Sequence, residues 1–431
     1  MLLEFSVTNY LSFKEKTTLN LSATAIKEHA DSNVFRSGRH NLLRGAVIYG
    51  ANASGKSNFI KAMSTMARLV LQSFDQSSTD QLDITPFLLN TETENAPTSF
   101  EVVFLIDNTR YRYGFEVDNN RVLSEWLFDA PKQAERPLFV REKDGIEVMP
   151  RTFPEGRDLE ERTRDNALFL SVVDQFNGKI AKQIMRWFHN FIIISGLSHE
   201  RYKAVTFSML ENKHTQHLLL DFYKKVDLGF DNINISKAPF DPRELPRDLP
   251  ETLLKQLITD LEDSYRIDIK TVHKKYNAKN KPVGDVEFDM RSQESSGSNK
   301  LFNISGPVFD VLNEGGTLVI DELDSSLHPL LTLAITKLFN SKELNRNNAQ
   351  LIFATQDTNL LNYGHYRRDQ IYFIEKNKYG VSEMYSLVEY KEEGKTIRKD
   401  RSFEKDYIEG RYGAIPFIGN LSNIVSEWQG K

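Results

Sequence analysis

Gly50-Ala51-Asn52-Ala53-Ser54-Gly55-Lys56-Ser57 decides the fold, because it satisfies the pattern G-x-x-x-x-G-K-[ST] at every position. The two glycines let the backbone curl until several N–H groups point inward at a phosphate chain. In such a loop Gly50, Asn52, Ala53, Ser54, Gly55 and Asn58 border the nucleotide. Lys56 reaches its β- and γ-phosphates, and Ser57 offers a hydroxyl to Mg²⁺. The flanks agree with this reading. Ala46-Val47-Ile48-Tyr49 is a continuous apolar run of strand type, and Phe59, Ile60, Met63, Met66, Ala67, Val70 and Leu71 recur at helical spacing. Strand, glycine loop and helix together predict a P-loop that binds ATP with Mg²⁺.

A P-loop needs a second acid to hold the metal. Asp321 ends the apolar run Thr317-Leu318-Val319-Ile320, where a carboxylate would face the nucleotide, so it is the Walker B candidate and the metal ligand expected beside Ser57. Glu322 follows directly and can accept a hydrogen bond from an attacking water, orienting it in line with the γ-phosphate. Lys56 and Glu322 are the candidate catalytic residues, and the resemblance drawn below adds the strand-end Gln356. Lys56 and Asp321 lie 265 positions apart. A compact P-loop core closes sooner, so a sizeable insertion is expected between them.

The rest of the chain reads as follows. The N-terminal stretch alternates in strand fashion through Leu3, Phe5 and Val7, then Asn9 to Phe13, then Leu19 and Leu21. Residues 98 to 150 return to strands, with a turn at Asp107-Asn108. Residues 158 to 226 look helical, and Glu251 to Asp263 forms a further predicted helix. Two strand-like runs, 267–272 and 283–290, precede the last third. That third alternates strands and helices, which implies a mainly parallel sheet with ligands at the C-terminal ends of its strands. The fold class is α/β.

Glu294-Ser295-Ser296-Gly297-Ser298-Asn299-Lys300 precedes an apolar helical run, and Gly297 stands 24 positions before Asp321. Read alone, such a turn is a helix cap. A P-loop near the N-terminus, a long insertion, a Ser-Ser-Gly turn and Ile320-Asp321-Glu322-Leu323-Asp324-Ser325-Ser326-Leu327-His328-Pro329 together resemble the ABC-type ATPases of the RecF, SMC and OLD group. The likeness is greatest to the RloA-like AAA-family ATPases of phage-defence and restriction-associated operons. It extends to Asn166-Ala167-Leu168-Phe169-Leu170-Ser171 and to the tail Tyr407 to Pro416.

The resemblance implies an ABC-type head, with an inserted mostly helical lobe, whose sites complete only on dimerisation. Ser295 and Gly297 would then contact the γ-phosphate of ATP held by a second copy, and Asp324 and Ser325 would form the D-loop. The head is expected at 1–98 and 266–431, with 98–150 as its antiparallel subsheet and 151–265 as the inserted lobe. Two features depart from the ABC pattern. The signature turn reads Glu-Ser-Ser-Gly-Ser, and Gln356 stands where a switch histidine belongs. Glutamine can hydrogen-bond a phosphate but cannot carry charge, so slow turnover is expected. The Q-loop glutamine is not identifiable; Gln76 and Gln81 are weak candidates.

Composition narrows the function further. The 431 residues carry a net charge of −5 and no cysteine, which excludes disulfides and thiolate metal sites and fits a cytoplasmic protein. The start of the chain lacks the basic and apolar regions of a secretory signal, and no run approaches a membrane span. A general basic footprint for nucleic acid is missing, which leaves only a local patch, best seen at Lys270, His273, Lys274, Lys275, Lys279 and Lys281. That run also reads as a hairpin edge guarded by lysines. The favoured reading is a regulatory ATPase subunit of a bacterial anti-phage defence system. It would act as an ATP-dependent dimer or larger assembly and control a separate effector such as a nuclease. The alternatives are a RecF/SMC-like DNA-binding ATPase of DNA repair and a scaffold for which ATP is a structural ligand.

Overall fold

The computed structural model describes residues 1–74, 77–197, 199–239, 241, 243, 250, 265–362, 364–392, 395–397, 401–416 and 428. The chain divides into two compact units, Met1–Ser198 with Pro307–Lys431, and His199–Gly306. These limits differ from the borders expected at 98, 151 and 265. Residues 151–198 belong with the first unit, and 266–306 with the second.

The first unit holds a six-stranded sheet ordered Phe191–Ser195, Thr317–Asp321, Gln350–Ala354, Gly45–Tyr49, Ile371–Lys376 and Ser382–Ser386. The first five strands run parallel and the last pairs antiparallel. Thr317 to Ile320, Leu351 to Ala354 and Val47 to Tyr49 are buried on both faces, as a helix-covered parallel sheet requires. Phe191–Ser195 corrects the helical expectation for 158–226. Four apolar residues in a row, Phe-Ile-Ile-Ile, form a strand beside Thr317–Asp321, pairing Ser195 with Asp321.

A second, antiparallel sheet of seven strands joins Leu2–Thr8 and Thr17–Asn20 to the five strands between Thr98 and Val148. The Asp107-Asn108 turn is real, and both residues adopt positive φ, 47° and 64°. The strand expected over Asn9 to Phe13 is instead a tight turn, with positive φ at Asn9 and Leu11 and a Tyr10–Phe13 bridge. Helix Lys56–Gln72 buries Phe59, Ile60, Met63 and Met66 in the unit's core. Phe59 meets Phe5 and Phe13 edge-on at 5.6 and 5.7 Å. Burying each such ring contributes about 2–3 kcal/mol and fixes the helix that leaves the P-loop.

The Asn166 to Ser171 stretch is an anchor. The Glu125 carboxylate, fully buried, accepts from the N–H groups of Phe169 (2.6 Å) and Leu170 (3.0 Å) and from the Tyr113 hydroxyl (2.9 Å). It thereby caps helix Phe169–Gln175 from a distant strand. Burial pushes its carboxyl up, while Arg141 and the two N–H groups oppose this. Glu125→Ala would strand three buried donors, and Glu125→Gln keeps most of them. We expect the alanine variant to lose about 3 kcal/mol, visible as a lower thermal midpoint, with glutamine intermediate. Equal midpoints for Glu125→Ala and wild type would remove this anchor from the account.

The described residues of the second unit hold both helices and strands. Helices Lys203–Glu211 and Lys213–Lys225 accompany a three-stranded antiparallel sheet of Asn232–Pro239, Tyr265–Tyr276 and Pro282–Asp289. The strand Asn232–Pro239 escapes a pattern search because only Ile233 among its side chains is buried. The helix predicted over Glu251 to Asp263 lies outside the described residues, as does Gln76. Among the described residues no helix is long and apolar enough to cross a membrane.

Candidate functional site

Parallel register brings three strand ends to one edge of the six-stranded sheet. Tyr49 runs into the glycine loop, Asp321 ends its own strand, and Ala354 leads into Thr355 and Gln356 between them. This is the C-terminal edge, where open α/β sheets bind ligands.

The loop is tightly held. Gly55 adopts φ +122°, and a Cβ there would lie 2.5 Å from Ser382 Oγ and 3.0 Å from Ser12 Oγ. A Cβ at Gly50 would meet the Ile374 carbonyl oxygen at 2.4 Å. Ser382 donates from its hydroxyl to the Ser54 carbonyl (2.5 Å) and from its N–H to the Ser12 carbonyl (2.7 Å). The Asn58 amide donates to Ser12 Oγ (2.9 Å), so its side chain braces the loop helix. Asn52 and Ala53 are exposed at the loop crest, with Ala53 at φ +61°. Ser54 is buried, and its hydroxyl has no hydrogen-bond partner. Nothing local in the sequence marks Ser12 or Ser382 for this role. They lie 42 and 328 positions from Ser54, and serine has no pattern that reports a distant partner.

Lys56 is 6% exposed and donates to the carbonyls of Gly50 (2.5 Å) and Ala51 (3.1 Å). Burial pulls its ammonium down, and the nearby charges of Asp321, Glu322 and Asp324 oppose that. These three acids are thus its electrostatic partners across the sheet edge. Asp321 Oδ1 is buried without a hydrogen-bond partner. An orphaned carboxylate oxygen beside a P-loop is a donor set that fits a hard divalent cation. Ser57, half-buried at the first turn of the helix, would supply the second ligand.

Glu322 adopts φ +52°, an uncommon conformation for a residue with a side chain and one that costs of order 1 kcal/mol. The strand partner explains how it is held. Gly196 donates its N–H to the Asp321 carbonyl (2.7 Å), and a Cβ on Gly196 would lie 2.2 Å from Asp321 O and 2.4 Å from Glu322 O. Only glycine fits there. Sequence offers no signal for Gly196, because the apolar run Phe191 to Ile194 before it fits helix and strand equally.

The acidic turn is tied to the neighbouring strand end: Gln356 N–H donates to Asp324 Oδ2 (3.2 Å), and Leu323 N–H to the Ala354 carbonyl (3.2 Å). The Gln356 side chain is exposed. His328 caps helix Pro329–Phe339, its Nδ1 accepting from Leu330 N–H (3.2 Å). The tail also reaches the loop. Tyr407 stacks on Phe373 at 5.2 Å, packs on Tyr49 at 5.7 Å, and donates its hydroxyl to the Ala414 carbonyl (3.1 Å).

Ser295 and Gly297 lie in the second unit at the start of helix Ser296–Glu314. Ser295 Oγ accepts from Ser298 N–H (3.0 Å), so the turn does cap its helix. Glu294 beside it accepts from Thr271 Oγ1 at 2.5 Å and lies 2.7 Å from His273 Nε2.

A family model described as "AAA domain, putative AbiEii toxin, Type IV TA system" matches residues 46–362. The match runs from the strand before the P-loop past Gln356 and covers well over half of the chain. The chain belongs to this AAA-domain family. The AAA domain thus contains the glycine loop, the Asp321-Glu322 pair and all of the second unit. A search of curated proteins returned no match. Among solved structures, the SMC head domain from Thermotoga maritima is similar, at 13% identity and a TM-score of 0.39, over 89% of this chain and 98% of that one.

Proposed function

We propose that the chain is an ATP-binding, slowly hydrolysing regulatory subunit of a bacterial anti-phage defence system, RloA-like, acting as an ATP-dependent dimer or larger assembly that controls a separate effector such as a nuclease. The observation that carries the ATPase part is the buried, unpartnered Asp321 Oδ1 beside Lys56 and the glycine loop. Ser57 and Asp321 would hold Mg²⁺, which supplies charge neutralisation at the phosphates when bound. Lys56 binds the β- and γ-phosphates, with the loop N–H groups of residues 50–58. Glu322 accepts the hydrogen bond of the attacking water and orients it. Gln356 contributes a neutral hydrogen bond in place of a charged switch, which is the reason for slow turnover.

Assembly follows from Ser295 and Gly297. Their turn presents small residues and N–H groups at a helix start, suited to the γ-phosphate of a nucleotide on a second copy. The experiment is solution mass with and without ATP–Mg²⁺ for wild type, Lys56→Ala and Gly297→Glu. Wild type is expected to roughly double in mass on adding ATP, and both variants to remain at the smaller size. A mass that ignores ATP in wild type refutes the shared site and leaves ATP acting within one chain.

For the alternative, a DNA-repair ATPase of RecF/SMC type, the lysine-rich hairpin is the best local patch the sequence offers to DNA. Lys270 and Lys274 there pair with Glu287 (3.2 Å) and Asp285 (2.8 Å) across the strands. Both lysines sit on the central strand of that sheet, so they guard no edge, and their pairing leaves less charge for a phosphate backbone.

A further inference from the structure

Charge on this molecule is concentrated elsewhere than the sequence suggests. In the first unit a cavity of about 1210 Å³ opens at the N-terminal edge of the parallel sheet. Arg44, immediately before strand Gly45–Tyr49, forms part of its wall. The strand spans roughly 16 Å, so this cavity and the glycine loop lie at opposite ends of it. Five cations line the cavity: Arg36, Arg44, Lys337, Lys342 and Arg346. None of them forms an ion pair among the described residues, unlike Lys270 and Lys274 of the hairpin. Asp31 and Glu343 are the acids on the same wall, so cations outnumber acids there on a chain whose net charge is −5.

Arg44 is the deciding residue. It is 2% exposed, and a buried guanidinium is normally matched by a carboxylate. Arg44 instead donates to two backbone carbonyls, Ser32 (2.9 Å) and Asn345 (3.2 Å), and its Cζ lies 5.3 Å from the Phe35 ring centroid. It is fixed in place with its charge uncompensated. The same positive field reaches His365, whose imidazole is held below its usual range by burial and then by Lys337 and His29.

We infer that this cavity is an anion site for a run of closely spaced phosphates, the chemistry shared by a nucleic-acid backbone and a free polyphosphate chain. Several cations around one concavity suit several phosphates, and Phe35, the wall's one phenyl ring, is buried beneath Arg44. The site is separate from the P-loop, so the inference does not depend on the proposed function.

The test uses the full chain carrying Lys56→Ala, which removes phosphate binding at the glycine loop, with and without Lys342→Glu and Arg346→Glu. These two side chains are exposed, and reversing them leaves the core untouched. One arm measures anisotropy of a short labelled DNA duplex, the other calorimetry with inorganic tripolyphosphate. The double reversal is expected to weaken binding about tenfold or more and to flatten its salt dependence. In the otherwise wild-type chain the same reversal should leave ATP turnover unchanged. Binding of both probes identifies nucleic acid as a source, and binding of tripolyphosphate alone identifies a free polyphosphate. Absence of binding by both, or affinities within twofold between the two proteins, overturns the site.

Discussion

Glu322→Gln is expected to lower steady-state ATP turnover by about 10²–10³-fold while leaving ATP affinity within a few-fold of wild type. The amide is isosteric with the carboxylate, so the backbone at φ +52° and its contact with Gly196 have no reason to change. What disappears is the anionic acceptor that, on the proposed mechanism, orients water. Asp321, Lys56 and Ser57 remain, so the nucleotide is still held. On the shared-site model the variant accumulates in the ATP-bound assembly, with a larger mass than wild type at the same ATP concentration. Phosphate release assayed beside equilibrium binding of a fluorescent ATP analogue separates the two effects. Turnover within tenfold of wild type would take Glu322 out of the chemistry.

Gly196→Ala is the second large effect, and it acts through the backbone of the Asp321-Glu322 pair. A single methyl group would have to occupy space 2.2 Å from Asp321 O and 2.4 Å from Glu322 O. Both neighbours are backbone atoms at a strand end, so they cannot swing aside as a flexible side chain could. Either the edge strand Phe191–Ser195 moves away, or the Asp321-Glu322 pair shifts. A displacement of about 1 Å in a metal ligand or a water-orienting group can cost about 10² in rate. We therefore expect turnover to fall about 10²-fold, with a higher Mg²⁺ concentration needed for half-maximal activity. Leu197→Ala is the control, since Leu197 is 71% exposed, and it should behave as wild type. A lower thermal midpoint with unchanged turnover would mean that the edge strand yields and the acids do not.

The two variants mark how far sequence reading carries. Lys56, Ser57, Asp321 and Glu322 were legible because each sits in a short pattern whose spacing is imposed by phosphate and strand geometry over a few residues. The second P-loop glycine was legible for the same reason, although what crowds it was not. Gly196, Ser12 and Ser382 carry no such pattern. Their work consists of one close approach or one hydrogen bond to residues far away in the chain.

Local alternation and apolar runs likewise predicted the strands that are buried on two faces or pair with their neighbour in sequence. They failed at Phe191–Ser195 and Asn232–Pro239. In the first, four apolar residues fit helix and strand equally. In the second, one buried side chain is too little signal. By itself, then, the sequence determined that this is an α/β P-loop protein with an acidic pair at a buried strand's end, because those features are written in consecutive residues. Tertiary structure alone decided which glycine guards that acid, which buried carboxylate caps a distant helix, and where unpaired positive charge gathers. Each of these depends on groups tens to hundreds of residues apart meeting in space, and composition or periodicity cannot report such a meeting.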